Sequence, residues 1–307
     1  MTKPTSASPG FRKVFARSFA LKAWLLLLLL APAVFGKDGY PPHLEGATVE
    51  KYKTVGDVSL NLWILNPKNH QPGDQRAAIV FFFGGGWTGG SPSQFEQHCK
   101  HLAERGIVAI TADYRVKSRH GVKPVQCVAD AKSAIRWVRA NAVRLGIDPQ
   151  RIAAAGGSAG GHLAASTAFI KDFDEAGEDT KVSAVPNALV LFNPALVLAP
   201  LDGYQLNRIG ERVGEERLGT KPDKISPAHH VKQGAPPAII FHGKADTTVP
   251  YATAEAFTAE MKKAGSRCEL VGYEGARHGF FNSPTSDGKD TIIRMTEFLK
   301  SLGYLKD

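Results

Sequence analysis

The chain has 307 residues, 43% of them hydrophobic, with a formal charge of +9 and three cysteines. Residues 1–36 hold five basic residues and no acid, so the remainder carries only +4, and nothing in its charge pattern marks a nucleic-acid-binding protein. An odd cysteine count allows at most one disulfide; Cys99 and Cys127, both in apolar helical patterns, read as buried thiols, no disulfide is expected, and no Cys/His spacing resembles a metal site.

Lys3, Arg12, Lys13, Arg17 and Lys22 precede an apolar run of Ala23, Trp24 and six leucines, and the small residues Ala31-Pro32-Ala33-Val34-Phe35-Gly36 follow. The run is shorter than the roughly 18–20 residues a membrane span needs, so 1–36 reads as a secretory signal peptide cleaved after Ala33 or Gly36, with a retained anchor as the competing reading. The expectation is a secreted or periplasmic protein of one α/β domain, residues 37–307, without a stable membrane span after cleavage.

Val49–Thr54 and Val58–Leu65 alternate in strand fashion around a Gly56-Asp57 turn and predict an antiparallel edge pair. The pattern then changes to buried runs: 77–83, 107–112, 152–155, 188–192, 238–241 and 269–273. Amphipathic helices lie between them, with Val128, Ala131, Ile135 and Val138 on one face and Met295, Phe298, Leu299 and Leu302 on another. This alternation predicts a mostly parallel, doubly wound sheet whose functional residues lie just past the carboxyl ends of strands. Residues 172–181 read as an acidic solvated loop, and 201–231, with a short helix around Leu206–Leu218, as a small lid insertion.

Gly156-Gly157-Ser158-Ala159-Gly160-Gly161 stands between a strand and an apolar helix. Gly-x-Ser-x-Gly is a weak signal alone, but in this position it is the nucleophile elbow of a serine hydrolase, where small neighbours let a sharp turn expose the hydroxyl. A serine hydroxyl needs a base, and the base needs an acid to fix its tautomer. Asp246 follows the run 238–241, and His278 follows 269–273 in a glycine-flanked loop, so the order Ser158, Asp246, His278 is that of α/β hydrolases. Phe83-Gly84-Gly85-Gly86-Trp87 follows the run 77–83 and offers backbone N–H groups for an oxyanion hole, joined by that of Ala159. His162 reads as packed or capping, Asp113-Tyr114-Arg115 as a buried charge network, and His229-His230 as loop histidines that could line an entrance. Trp87 and Phe280 are the candidate substrate-binding residues, with Phe281 beside them.

These motifs, with Asp148-Pro149-Gln150-Arg151-Ile152 leading into the elbow, make the chain from Ala77 onward resemble α/β-hydrolase-fold serine esterases. The resemblance is to the hormone-sensitive-lipase-like group, which includes bacterial acetyl esterases and related secreted carbohydrate esterases. It implies Ser158 as nucleophile, His278 as general base and acid, Asp246 as orienting acid, and Gly85, Gly86 and Ala159 as oxyanion donors, with no cofactor. It further implies a small-molecule or carbohydrate ester as substrate. Where many members have histidine, this chain has Phe83, so the glycine loop must be held by packing or other hydrogen bonds, and the donors among Gly84, Gly85 and Gly86 stay open. The N-terminal segment is too brief for a helical cap, which implies a reduced cap and an open site. An amidase of the same fold, and a silent hydrolase fold acting as a binding module, are the alternative readings.

Overall fold

The computed structural model describes residues 39–202, 204 and 213–305. The segment 1–36 lies outside the described residues, as does 205–212 of the lid insertion. Among the described residues, eight strands form one sheet: β1 (Thr48–Val55), β2 (Val58–Leu65), β3 (Arg76–Phe82), β4 (Val108–Ala112), β5 (Ile147–Gly157), β6 (Ala188–Phe192), β7 (Ala238–Gly243) and β8 (Cys268–Tyr273). Their spatial order is β1-β2-β4-β3-β5-β6-β7-β8. β1 and β2 are antiparallel, β2 is antiparallel to β4, and every other pair is parallel. The chain is thus an α/β-hydrolase fold with the expected antiparallel first pair, and each predicted run is a strand, although β8, read as buried, is only half-buried because it lies at the sheet edge.

Burial on both faces is what a parallel sheet demands, and β3 shows how the sequence meets it. Ala78, Val80 and Phe82 point into one core layer with α3 (Pro124–Ala140), α4 (Ala159–Phe169) and α6 (Tyr251–Lys263). Ala77, Ile79 and Phe81 point into the other, with α1 (Glu96–Ala103) and α7 (Ser286–Ser301). The crossovers on either side of β3 therefore diverge: α1, from β3 to β4, covers one face, and α3, from β4 to β5, covers the other. That switch opens a crevice at the carboxyl ends of β3 and β5. Two short helices, α2 (Lys117–His120) and α5 (Glu215–Leu218), lie in the loops above it. Of the helix read around Leu206–Leu218, only α5 falls among the described residues, followed by single turns at Pro222–Ile225 and Pro227–His230.

The loop 172–181 is not simply solvated. Glu175 reaches Lys53 of β1 and Arg115, each at 2.7 Å, and both cations also pair with the fully buried Asp130 of α3 at 2.7 Å. Asp174 lies 2.8 Å from Lys132 and 2.5 Å from Arg136, and Glu178 lies 3.0 Å from Arg136. Burial works to raise the Asp174 and Glu175 pKa values, but these cations outweigh it and hold both low. The basic face of α3 explains the correction: a cation buried this deeply needs a counter-ion, and the acidic loop is where the chain supplies it.

Asp113 accepts from the Tyr40 hydroxyl and, at 2.7 Å, from the Tyr114 N–H, with Arg119 stacked on the Tyr40 ring at 3.8 Å. Burial raises its pKa to about 6 against those bonds and the Arg119 charge. A carboxyl raised on folding contributes its stability below its unfolded pKa and loses it as pH rises through the folded value. Asp113→Asn keeps an acceptor oxygen and removes the titration. Between about pH 4 and pH 7 the variant should lose less stability than the parent by on the order of 3 kcal/mol, read from urea midpoints; parallel pH slopes would contradict this.

Candidate active site

β5 ends in Gly156 and Gly157, Ser158 takes φ 53° and ψ −118°, and α4 begins at Ala159. Such a left-handed serine is strained, and its neighbours hold it there: its N–H donates to Phe192 O at 2.9 Å, and its carbonyl accepts from His162 N–H at 3.0 Å. A Cβ on Gly160 would be driven into the carbonyl oxygens of Phe82 and Phe83, so α4 can approach the end of β3 only with glycine there.

His278 Nε2 lies 2.9 Å from Ser158 Oγ, and its Nδ1 lies 2.6 Å from Asp246 Oδ2. A carboxylate can only accept, so Nδ1 carries the proton and Nε2 accepts from the serine hydroxyl. The other oxygen, Asp246 Oδ1, accepts the Thr248 and Val249 N–H groups at 2.8 and 2.9 Å. Burial raises the Asp246 pKa, but hydrogen bonds from His242, His278 and the Val249 N–H, with the nearby His278 charge, hold it well below the usual carboxylate range. The structure thus brings together the three residues that the sequence analysis singles out from three separate loops.

The glycine loop is held in the way Phe83 requires. The Phe83 ring stacks on Tyr114 at 4.1 Å, the Tyr114 hydroxyl donates to Phe83 O at 2.8 Å, and the Gly84 N–H donates to Gln94 Oε1 at 2.6 Å. Gly84 is therefore occupied. Gly85, at φ 124°, and Gly86, at φ 61°, have no partner for their N–H groups among the described residues, and neither does Ala159. A Cβ on Gly85 would strike Gly89 O.

Trp87 is buried, and its indole N–H donates to His162 Nδ1 at 3.3 Å. His162 Nε2 lies 2.7 Å from Ile225 O, and burial pushes the ring's pKa down to about 4, so His162 is a packed residue that ties α4 to the lid segment. Beyond Trp87, Gly86, Lys117, Lys123 and Arg217 line a cleft of about 320 Å³. Phe280 is half-buried against Tyr273 at 4.8 Å, while Phe281 packs under Gly157. Asp113 and Arg115 belong to the buried networks already described. His229 bonds Ser226 Oγ and Pro200 O at 2.9 Å, and His230 bonds Asp223 O at 2.9 Å.

Three supporting residues escape the sequence analysis. Asn193, at φ 35° just past β6, accepts the Gly279 N–H at 2.9 Å and so anchors the His278 loop. An asparagine ending a buried strand, a residue that tolerates left-handed backbone, was the available signal. Gln94 lies in the single turn Pro92–Phe95, which Ser91 caps and Pro92 opens; the sequence marks that turn but not what its glutamine meets. His242, inside β7, lies behind Asp246. Among the described residues, no group of three or more His, Cys, Asp or Glu side chains is placed to hold a metal ion, and no helix is long and apolar enough to cross a membrane. Cys99, Cys127 and Cys268 are free thiols.

The model of the BD-FAE family matches residues 62–261. Esterase LipC of Mycobacterium tuberculosis is 31% identical over 73% of this chain, which spans 58% of that protein's length. Among solved structures, propionate-bound Est2, a thermophilic esterase of the planctomycete Thermogutta terrifontis, is 54% identical with a TM-score of 0.82, covering 87% of this chain and 98% of that one. The same organism's esterase 2 phosphorylated by paraoxon is 52% identical with a TM-score of 0.81, over 87% and 98% of the two chains. Fold, elbow, strand-end residues and these similarities agree: the chain belongs to the BD-FAE family of α/β hydrolases.

Proposed function

We propose that the protein is a serine carboxylic-ester hydrolase that removes short acyl groups, acetyl above all, and that residues 1–36 direct its export. The observation that carries the reading is the unbroken hydrogen-bond chain from Ser158 Oγ through His278 to Asp246, set beside three backbone N–H groups without partners among the described residues. Ser158 Oγ forms a bond to the ester carbonyl carbon as its proton passes to His278 Nε2, and the carbonyl π pair moves onto oxygen. The N–H groups of Gly85, Gly86 and Ala159 receive that charge, each well-aimed donor contributing on the order of 3 kcal/mol. Collapse expels the alcohol, which takes the proton from Nε2. Water then repeats the sequence and frees the acid. Asp246 stays ionised throughout and holds Nδ1–H in place.

Propionate bound to the Thermogutta esterase supports a short acyl site, and the resemblance to carbohydrate esterases favours acetylated polysaccharide as the exported enzyme's substrate. A p-nitrophenyl ester series from acetate to octanoate, run beside acetylated xylan and aminoacyl-proline and formamide substrates, tests this. Turnover should be highest at acetate to butyrate and fall steeply beyond, with acetate released from xylan and the amides untouched. Amide turnover without ester turnover would replace the reading with an amidase, and no covalent labelling by a fluorophosphonate probe would replace it with a binding module.

A further inference from the structure

His242 is fully buried in β7, opposite Gly272 of β8. Its Nε2 lies 2.8 Å from Val249 O, which can only accept, so the ring proton sits on Nε2. The same nitrogen lies 3.4 Å from Asp246 Oδ2, the oxygen that faces His278 Nδ1, a second and longer contact beside the bond to Val249 O. Nδ1 has no partner among the described residues, so the ring acts as a donor through Nε2 alone. Among the described residues, the titratable groups near it are these. The Tyr251 ring of α6 meets it edge-on at 5.7 Å; Lys244 and Glu274 are paired with each other at 2.5 Å towards solvent; Asp246 and His278 complete the set.

An acid that orients a histidine must itself be oriented by something else. Asp246 Oδ1 is fixed by two N–H groups, but Oδ2 would otherwise meet only the ring it is meant to direct. The Val249 N–H holds Oδ1 while the Val249 carbonyl is held by His242, so ring, loop and carboxylate form one closed circuit. We propose that His242 is a positioning residue for acyl transfer: its Nε2–H pins Val249 O and Asp246 Oδ2 together and keeps Oδ2 presented to His278. An apolar side chain of equal volume would fill the same space without doing this, and a buried imidazole that made no such bonds would be destabilising.

The inference rests on the reading of Ser158, His278 and Asp246 as the acyl-transfer triad. Its test uses His242→Phe, which keeps the ring volume and removes the donor, and His242→Gln, whose amide returns an N–H near the position of Nε2. Turnover of p-nitrophenyl acetate is normalised to sites titrated with paraoxon, so that only folded enzyme counts. His242→Phe should lose about 10–100-fold in kcat with KM changed less than about threefold. The acid limb of its kcat/KM–pH profile should move to higher pH, because the Oδ2 charge then faces His278 alone. His242→Gln should recover kcat to within about tenfold of the parent and return the acid limb to its place. Equal losses in both variants with an unmoved acid limb, or full kcat in His242→Phe, would overturn the proposal in favour of packing alone. If His242→Phe does not fold, the folded Gln variant decides: kcat below about a tenth of the parent overturns it. Paraoxon labelling of Ser158→Ala would instead overturn the triad reading, whatever His242 does.

Discussion

Ser158→Ala should lower kcat for p-nitrophenyl acetate by about 10⁶-fold, leaving KM within a few-fold and the thermal midpoint unchanged or raised. The loss is large because serine, histidine and aspartate act as a unit, so removing the nucleophile leaves His278 and the oxyanion donors with no bond to make. A residual rate of about 10³-fold over water, from the backbone donors and binding, is the expected floor. Stability responds differently from rate. Ser158 sits at φ 53°, a strained position for any side chain, and alanine bears that strain no worse than serine, while its N–H bond to Phe192 O is backbone and survives. Steady-state kinetics with thermal melts check both parts, and loss of activity matched by loss of fold would contradict the prediction.

Gly160→Ala should be the most damaging single methyl among the described glycines. Its Cβ would enter the carbonyl oxygens of Phe82 and Phe83, backbone atoms with no rotamer to change. Either α4 withdraws from the end of β3 or the strand end shifts, and that strand end carries the Gly84–Gly86 loop. Overpacking of this kind costs about 1–3 kcal/mol where side chains can adjust, and more here. We expect a loss above about 3 kcal/mol, with kcat down at least about 100-fold in whatever folds, because both the nucleophile and the oxyanion donors ride on the displaced parts. Gly214→Ala is the control: that residue has φ −67° and nothing within 4 Å of the place an added methyl would take, so the change should cost no more than about 1 kcal/mol, the loss of a glycine cap on α5. Equal denaturant midpoints for the two variants would refute a packing origin for the loss.

The sheet was legible because parallel strands buried on both faces write themselves as apolar runs, as β3, β4, β6 and β7 do and β5 does over its second half, whereas β8, at the sheet edge, is only half-buried and mixes Glu269 and Gly272 into its run. The proposed triad was legible for a related reason: its residues follow strand ends, and strand ends can be read. Asp246 and His278 each lie within a few residues of one. Residues whose role depends on long-range pairing were not. Glu175 meets Lys53 across 122 positions, and no local pattern reports that an acidic loop will become a counter-ion for buried cations. Gln94 holds Gly84 from the turn Pro92–Phe95, across ten positions, and a Ser-Pro turn start does not say which backbone its side chain will meet. His242 was visible as a letter inside an apolar strand, but its partner is the backbone carbonyl of Val249, which sequence does not mark.

Both moving parts of the chemistry take their bearings from the same two residues. Ser158 is tied by its N–H to Phe192 O, and the His278 loop is tied through Gly279 N–H to the neighbouring Asn193 side chain. A shared mount of this kind should cancel common motion, so that Ser158 and His278, now 2.9 Å apart, are expected to drift together as the sheet breathes on heating. Activity measured against rising temperature should then climb smoothly to the point of global unfolding and fail there abruptly, with no lower-temperature decline from a site that loosens first.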